Sequence, residues 1–305
     1  MWDQKMRLHR DTRSFSAVFS AQRSATIQSQ QVLRRNYDMD ELNVDYPLTD
    51  EQIGAYRRDG FVKLPNVLSQ EVLAEYGSEF TRIVYALNRQ TLALAERNTY
   101  GKAFLQVPNL WEHSEKVKTF VLCRRLGKIA AELMGVSGVR MYHDQALYKE
   151  PGGGFTPWHV DQFYWPLAND NTVTAWIPLQ EVPVEMGPLS FCIGSHKLLQ
   201  NRGLSISDES EQKIGRTLND YPKCVSPFAL GEVSFHSGWT FHRAGPNRSE
   251  QMRAVMTIIY MEDGMEVATP KNENQQRDWD RWLPGAQVGE PIDTPLNPVI
   301  YSSLE

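Results

Sequence analysis

Thr156-Pro157-Trp158-His159-Val160-Asp161-Gln162 is the stretch on which the reading of this chain turns. On an extended strand, side chains two residues apart point to the same face, so the imidazole of His159 and the carboxylate of Asp161 are placed to grip one cation. A third ligand must come from elsewhere in the fold. His242, 83 positions after His159 in the run Trp239-Thr240-Phe241-His242-Arg243-Ala244-Gly245-Pro246-Asn247, stands at the end of a predicted strand and is the candidate. Two imidazoles and one carboxylate on one face of a metal leave the other coordination positions open, which is the donor set of non-heme ferrous sites.

Outward from that stretch, from Gly138 onward, the texture is one of short alternating strands broken by Gly and Pro. Predicted strands span 139–149, 158–161, 172–179, 187–193, 231–236, 239–242 and 252–261, as in a jelly roll. Upstream, Thr49-Asp50-Glu51-Gln52 has capping-box form and opens a short helix that stops near Asp59-Gly60, followed by an extended Phe61 to Pro65. Ser69 caps a long helix with an apolar stripe through Val72, Tyr76, Phe80, Ile83 and Leu87, and a further helix is predicted from Ser114 to Met134, ended by Gly135. Residues 196–226 form a polar insert too long for a hairpin loop, a length usual for lids. Residues 266–305, rich in Pro, Asn, Gln and Trp, are expected to wrap the surface or reach the site mouth. Gly152-Gly153-Gly154 lacks the Lys-Ser/Thr that follows a phosphate loop and reads as a lip over the site.

Over roughly residues 50 to 265 the chain resembles the phytanoyl-CoA dioxygenase family, a branch of the Fe(II)/2-oxoglutarate-dependent oxygenases. His159, Asp161 and His242 match that family's metal triad. Gln145 falls where the family has a 2-oxoglutarate contact, and Trp176, in Val173-Thr174-Ala175-Trp176-Ile177-Pro178, matches another. Arg253 matches the strand arginine that receives the far carboxylate of the cosubstrate. The pattern departs at Ala244, where some members place a serine that also touches 2-oxoglutarate. The resemblance implies a fold that is mainly β with flanking helices, a double-stranded β-helix of the jelly-roll, cupin-like kind. It also implies Fe(II), 2-oxoglutarate and O2 as cofactors and cosubstrates. The implied outcome is hydroxylation of an unactivated C–H bond with release of succinate and CO2; desaturation, ring formation and epimerisation differ only in substrate placement. Related halogenases replace the carboxylate by a small residue; the presence of Asp161 favours oxidation.

The residues support this on their own terms. A His-x-Asp pair alone is weak, because strand histidines are more often satisfied by a local hydrogen bond; the conjunction with His242 and Arg253, in order and on strand-like segments, carries the inference. Arg253 opens the apolar run Met252 to Tyr260, where a charge costs on the order of several kcal/mol unless paired. Its planar fork suits a fixed carboxylate better than lysine would. The alternative is a metal-binding cupin-like isomerase or a binding protein that does not use 2-oxoglutarate, which would have little use for an arginine there. For the substrate pocket the candidates are Phe104, Phe163, Trp165, Trp239 and Arg243, with Trp111, Tyr164, Trp279 and Lys149 behind them; an aromatic set of this kind suits an apolar or mixed small molecule. His143, in phase with Gln145, and His236, near a turn, are both candidates for the pocket wall, with structural hydrogen bonding the default for each.

Composition narrows the partners. With 305 residues and 41% hydrophobic content the chain can bury one sizeable core, so residues 46–305 read as a single oxygenase domain containing the 196–226 insert. A net charge of −5 argues against nucleic acid and leaves a small-molecule substrate. Nothing in the pattern specifies an oligomeric state. The three cysteines, Cys123, Cys192 and Cys224, are odd in number and widely spaced, which suits a reducing compartment. No stretch is long and apolar enough for a membrane span. Residues 1–45 carry Arg7, Arg10, Arg13, Arg23, Arg34 and Arg35 among Ser and Gln, and read as a mobile or helical arm, with a mitochondrial targeting segment as the alternative to a cytoplasmic protein.

Overall fold

In a computed structural model the described residues are 41–304. Residues Leu42–Glu305 form one compact unit. Residues 1–40, most of the segment read as an arm, lie outside the described residues. Leu42, which the composition placed in the arm, is 1% exposed in the core, so the folded unit begins earlier than expected.

Two antiparallel sheets carry the fold. The chain runs α1 (Asp50–Asp59), β1 (Phe61–Leu64), α2 (Gln70–Leu87), α3 (Thr99–Ala103), β2 (Leu105–Pro108), α4 (Glu115–Val121), α5 (Arg124–Met134) and β3 (Gly138–Tyr148). Next come β4 (Thr156–His159), β5 (Thr172–Pro178), β6 (Leu189–Cys192), α6 (Asp208–Thr217), β7 (Lys223–Val225), β8 (Val233–Ser237), β9 (His242–Ala244), β10 (Val255–Glu262), α7 (Glu273–Trp282) and β11 (Val299–Ser302). The large sheet has the order β1-β8-β5-β10-β3-β11 with β2 on the free edge of β3, and the small sheet the order β4-β9-β6-β7. The jelly-roll class expected from the sequence is therefore present as two facing open sheets, with α2, α4 and α5 packed on the outer face of the large sheet and α6 against the small one.

Alternation along the central strands divides the large sheet. Ala146, Tyr148, Val173, Ala175, Ile177, Phe235, Met256, Ile258 and Tyr260 join one apolar cluster with Val72, Phe80, Ile83, Phe120, Leu126 and Ile129 of the helices. The opposite face is set by register. One row across the sheet reads Gln145, Thr257, Trp176, Ser234, and the next His143, Ile259, Thr174, His236. Because β5 is covered on both faces, every one of its residues is buried.

Several boundaries differ from the sequence reading. The predicted helix from Ser114 to Met134 is two helices, because Leu122 closes α4 and Cys123 is extended. No Gly or Pro marks the break; its one trace is a phase shift, since Leu126, Ile129, Ala130 and Leu133 lie about half a turn around from the face of Val117, Phe120 and Val121. The predicted strand 158–161 stops at His159, and Asp161 opens a single 3-10 turn. The predicted strand 239–242 is instead a turn, closed by Thr240 N–H to the Ser237 carbonyl at 2.9 Å, and the strand starts at His242. Arg253 precedes β10 and pairs with Lys149 in an isolated bridge. The 196–226 insert is ordered by α6, whose cap Ser207 exchanges hydrogen bonds with Ser210, and by β7 at the edge of the small sheet. Gly152 to Gly154 is tied by Gly152 N–H to Asn247 O and Gly154 N–H to Lys102 O, and does not line the cavity between the sheets.

Gly187, just before β6, has φ of 73°, and a Cβ there would press into the carbonyl of Gly245 at the end of β9. Left-handed strain and the overlap act together, so Gly187→Ala is expected to lose on the order of 2–4 kcal/mol. A lowered denaturant midpoint checks this; an unchanged midpoint would show that the two loops separate freely.

Candidate metal and cosubstrate site

The small sheet sets the two imidazoles opposite each other. His159 and His242 are paired residues of β4 and β9, with ring centroids 4.1 Å apart. In each ring Nδ1 lies against a backbone carbonyl, of Pro157 at 2.8 Å and of Thr240 at 3.0 Å. A carbonyl only accepts, so Nδ1 carries the proton and Nε2 is left with a lone pair. Burial lowers the pKa of both rings to about 4, which keeps them neutral and able to ligate.

Asp161 completes the set. Its Oδ1 is 3.6 Å from Nε2 of His159 and 3.6 Å from Nε2 of His242. The three donor atoms lie within 4.8 Å of one another, and the two 3.6 Å separations from Oδ1 fall inside the span of about 4.2 Å that one ion bonded at about 2.1 Å to each atom allows. The second oxygen, Oδ2, accepts from the Thr174 hydroxyl at 3.0 Å and from Nε2 of His236 at 3.2 Å. One oxygen thus faces the imidazoles while two donors from the large sheet hold the other. Burial by itself would raise the Asp161 pKa, but His242, the His236 hydrogen bond and His159 outweigh it and hold the carboxyl well below its ordinary value.

A cavity of about 670 Å³ opens from this cluster between the sheets. Gln145, Thr257, Trp176 and Arg253 line its inner end. Arg253 is 1% exposed; its Nη1 donates to the Gly187 carbonyl, its guanidinium lies over the Trp176 ring at 5.5 Å, and its Nε has no partner among the described residues. No carboxylate pairs with it among those residues. Burial pulls its pKa down to about 9. A buried fork with an open N–H fits the carboxylate of a bound acid, as the donor set beside it fits ferrous iron. Ala244 lines the cavity without a hydroxyl to offer.

Of the other residues singled out from sequence, Phe104, Tyr164, Trp165 and His143 line the cavity. Phe163 and Trp239 do not; they pack partly buried against a separate cluster around Trp158 and Phe241. Arg243 also points elsewhere, pairing with Glu211 at 2.7 Å on the outer face of the small sheet. Trp111 packs against the helical core, Trp279 lies beside Trp282 in another cluster, and the Lys149 amine donates to the Gly154 and Gly245 carbonyls. Sequence reasoning missed Thr174 and Thr257, although the phase of Trp176 and of the Met252–Tyr260 run contained them. It did not name Ile206 or the Asn274 to Trp282 helix face, although residues 266–305 were expected to wrap the surface or reach the site mouth, and these residues do line the cavity.

Residues 56–255 match the family model described as phytanoyl-CoA dioxygenase (PhyH). The chain belongs to the phytanoyl-CoA dioxygenase family. Among its relatives is a "Probable alpha-ketoglutarate-dependent hypophosphite dioxygenase" of Stutzerimonas stutzeri, 24% identical over 225 residues, covering 69% of this chain and 77% of that protein. A methylphosphonate hydroxylase of Gimesia maris is 25% identical over 219 residues, covering 70% and 80%. The solved structure of the epimerase SnoN with Fe3+, α-ketoglutarate and nogalamycin RO superposes with a TM-score of 0.69 at 25% identity, over 83% of this chain and 98% of that one. Members of this family thus use iron and 2-oxoglutarate, in keeping with the donor set and the buried arginine found here.

The hydrogen bond from His236 holds the metal-facing carboxylate, so His236→Phe is expected to weaken Fe(II) binding by roughly 10–100-fold. Chelator competition on the folded variant measures it. An affinity equal to that of the unaltered protein would remove His236 from any role in setting the site.

Proposed function

We propose that this chain is an Fe(II)/2-oxoglutarate-dependent dioxygenase that hydroxylates an unactivated C–H bond of a small organic molecule, with His159, Asp161 and His242 as metal ligands. The observation that carries the residue assignment is the convergence of those three donors beside a buried guanidinium with an open N–H. With O2, the bound iron and 2-oxoglutarate supply the oxidant that removes hydrogen from the substrate, and succinate and CO2 are released.

The protein's own part is positioning. Thr174 and His236 fix Asp161, so that one oxygen is presented to the metal. The Pro157 and Thr240 carbonyls fix the two imidazoles. Arg253 takes the far carboxylate of 2-oxoglutarate, with Trp176 packed on its guanidinium and Gln145 and Thr257 alongside. Trp165 and Trp282, 5% and 7% exposed, close the wall beyond the metal against water. The two bacterial relatives are named for small phosphorus compounds; a 670 Å³ cavity with aromatic walls suits a larger organic substrate. Among the described residues no helix is long and apolar enough to cross a membrane.

Asp161→Ala is expected to fold and to lose turnover by more than about 100-fold, read as succinate release in air. Full succinate formation would remove Asp161 from the ligand set. Arg253→Leu deletes a charge-assisted contact of about 2–3 kcal/mol, so the KM for 2-oxoglutarate is expected to rise by roughly 30–150-fold. Anaerobic titration of the Fe(II) protein with 2-oxoglutarate, followed by the visible charge-transfer band, separates weaker cosubstrate binding from slower chemistry. Unaltered titration would refute the assignment of Arg253.

A further inference from the structure

Beyond the metal, the cavity mouth is built by three segments distant in sequence. They are α3 with Phe104, the stretch Ser205-Ile206, and α7, whose Asn274, Arg277, Asp278, Arg281 and Trp282 all line the cavity. Asp278 is half-buried, the least exposed of the charged side chains lining this outer half. Arg277 and Arg281 are exposed on the rim; Arg277 Nε is engaged by the Glu273 carbonyl and Arg281 lies 4.3 Å over the Trp282 ring. Among the described residues, the one hydrogen bond to Asp278 comes from the Tyr142 hydroxyl at 3.2 Å, and no cation pairs with it. Aromatic faces surround it: Trp282 stacks on His143 at 4.8 Å, Trp165 lies 5.5 Å from Tyr142, and Phe104 is on the opposite lip.

From this geometry we infer that Asp278 anchors the substrate, and that the substrate is an organic amine or other cation carrying an apolar body. The inference rests on the proposed iron and 2-oxoglutarate site for the other end of the cavity. There the charges offset one another, since the dicarboxylate offsets the metal and Arg253 offsets Asp161. Asp278 is left as a half-buried charge with no cation at ion-pair distance among the described residues. A carboxylate so placed is costly unless a cation or a strong donor reaches it, and aromatic faces around it add cation–π attraction. Burial pushes the Asp278 pKa up to about 7, with Tyr142, Arg281 and Arg277 opposing. Tyr164, half-buried in the same cavity, is pushed up to about 12 by burial, with the fields of Asp161 and Asp278 acting in the same direction.

The test uses three probes of similar shape: 2-phenylethylamine, 2-phenylethanol and phenylacetate. Each is titrated anaerobically into the full-length protein loaded with Fe(II) and 2-oxoglutarate, and the perturbation of the visible band is followed. The amine is expected to bind at least 10-fold more tightly than the other two, and Asp278→Asn to abolish that preference while leaving 2-oxoglutarate binding unchanged. Equal affinities, tighter binding of phenylacetate, no binding by any probe, or a preference that survives Asp278→Asn would each overturn the inference. If the band never forms, it is the iron and 2-oxoglutarate reading that fails. Calorimetry of the three probes on the metal-free protein and on Asp278→Asn then decides the amine question separately, by the same criteria.

Discussion

The site depends on one carboxylate that belongs to both sheets. Asp161 turns Oδ1 to the imidazoles of the small sheet and Oδ2 to Thr174 and His236 of the large one. A buried carboxylate is tolerable only where donors meet both oxygens or a cation meets one. The large sheet supplies the donors, leaving the other oxygen for the cation. The sheets cannot slide relative to each other without breaking that division, so the ligand geometry is built into the packing of the jelly roll rather than into a loop.

The same logic explains which strands matter. Thr174 and His236 are paired across β5 and β8, and His159 and His242 across β4 and β9. Four side chains around one carboxylate are thus fixed by two antiparallel registers, each of which would turn its residues away on a one-residue slip. Arg253 is held differently, by a backbone bridge to Lys149 and by the Gly187 carbonyl. Its buried charge is the least satisfied at the inner end, which is where a dicarboxylate would contribute most to stability.

Much of this was legible in the sequence because strand alternation is a short-range rule. His159, Asp161, Gln145, Trp176 and Arg253 each had a phase or a family pattern to mark them. Thr174 and His236 were in phase too, yet a threonine and a histidine have ordinary reasons to sit in a strand, and only the cross-sheet distance reveals the shared partner. Phe163 and Trp239 failed as pocket residues for a matching reason. They flank the ligands in the chain, but Asp161 begins a 3-10 turn and Gly238 a tight one, and both rings swing into the cluster around Trp158. The break at Leu122-Cys123 left only a shift of the apolar stripe by about half a turn, with no Gly or Pro to mark it. For α7 the composition offered the mouth as one of two places, and nothing local says which residues of a polar helix near the C-terminus turn to the cavity.

The inner and outer halves of the cavity therefore carry different kinds of information. The inner half is set by strand registers, and its residues are those on which the family resemblance was recognised. The outer half comes from α3, the segment before α6, and α7, which are held by contacts such as Thr99 to Asp208, Ile206 N–H to Tyr164 and Gln275 to the Phe163 carbonyl. Solved neighbours on this scaffold are titled an alpha-ketoglutarate-dependent carbocyclase and an epimerase, so one fold serves several outcomes. Which carbon loses its hydrogen, and which product results, is decided by how the outer half seats the substrate. On the proposed reading, selectivity in this chain resides in the segments whose placement the strand pattern does not dictate, with the half-buried carboxylate of Asp278 among them.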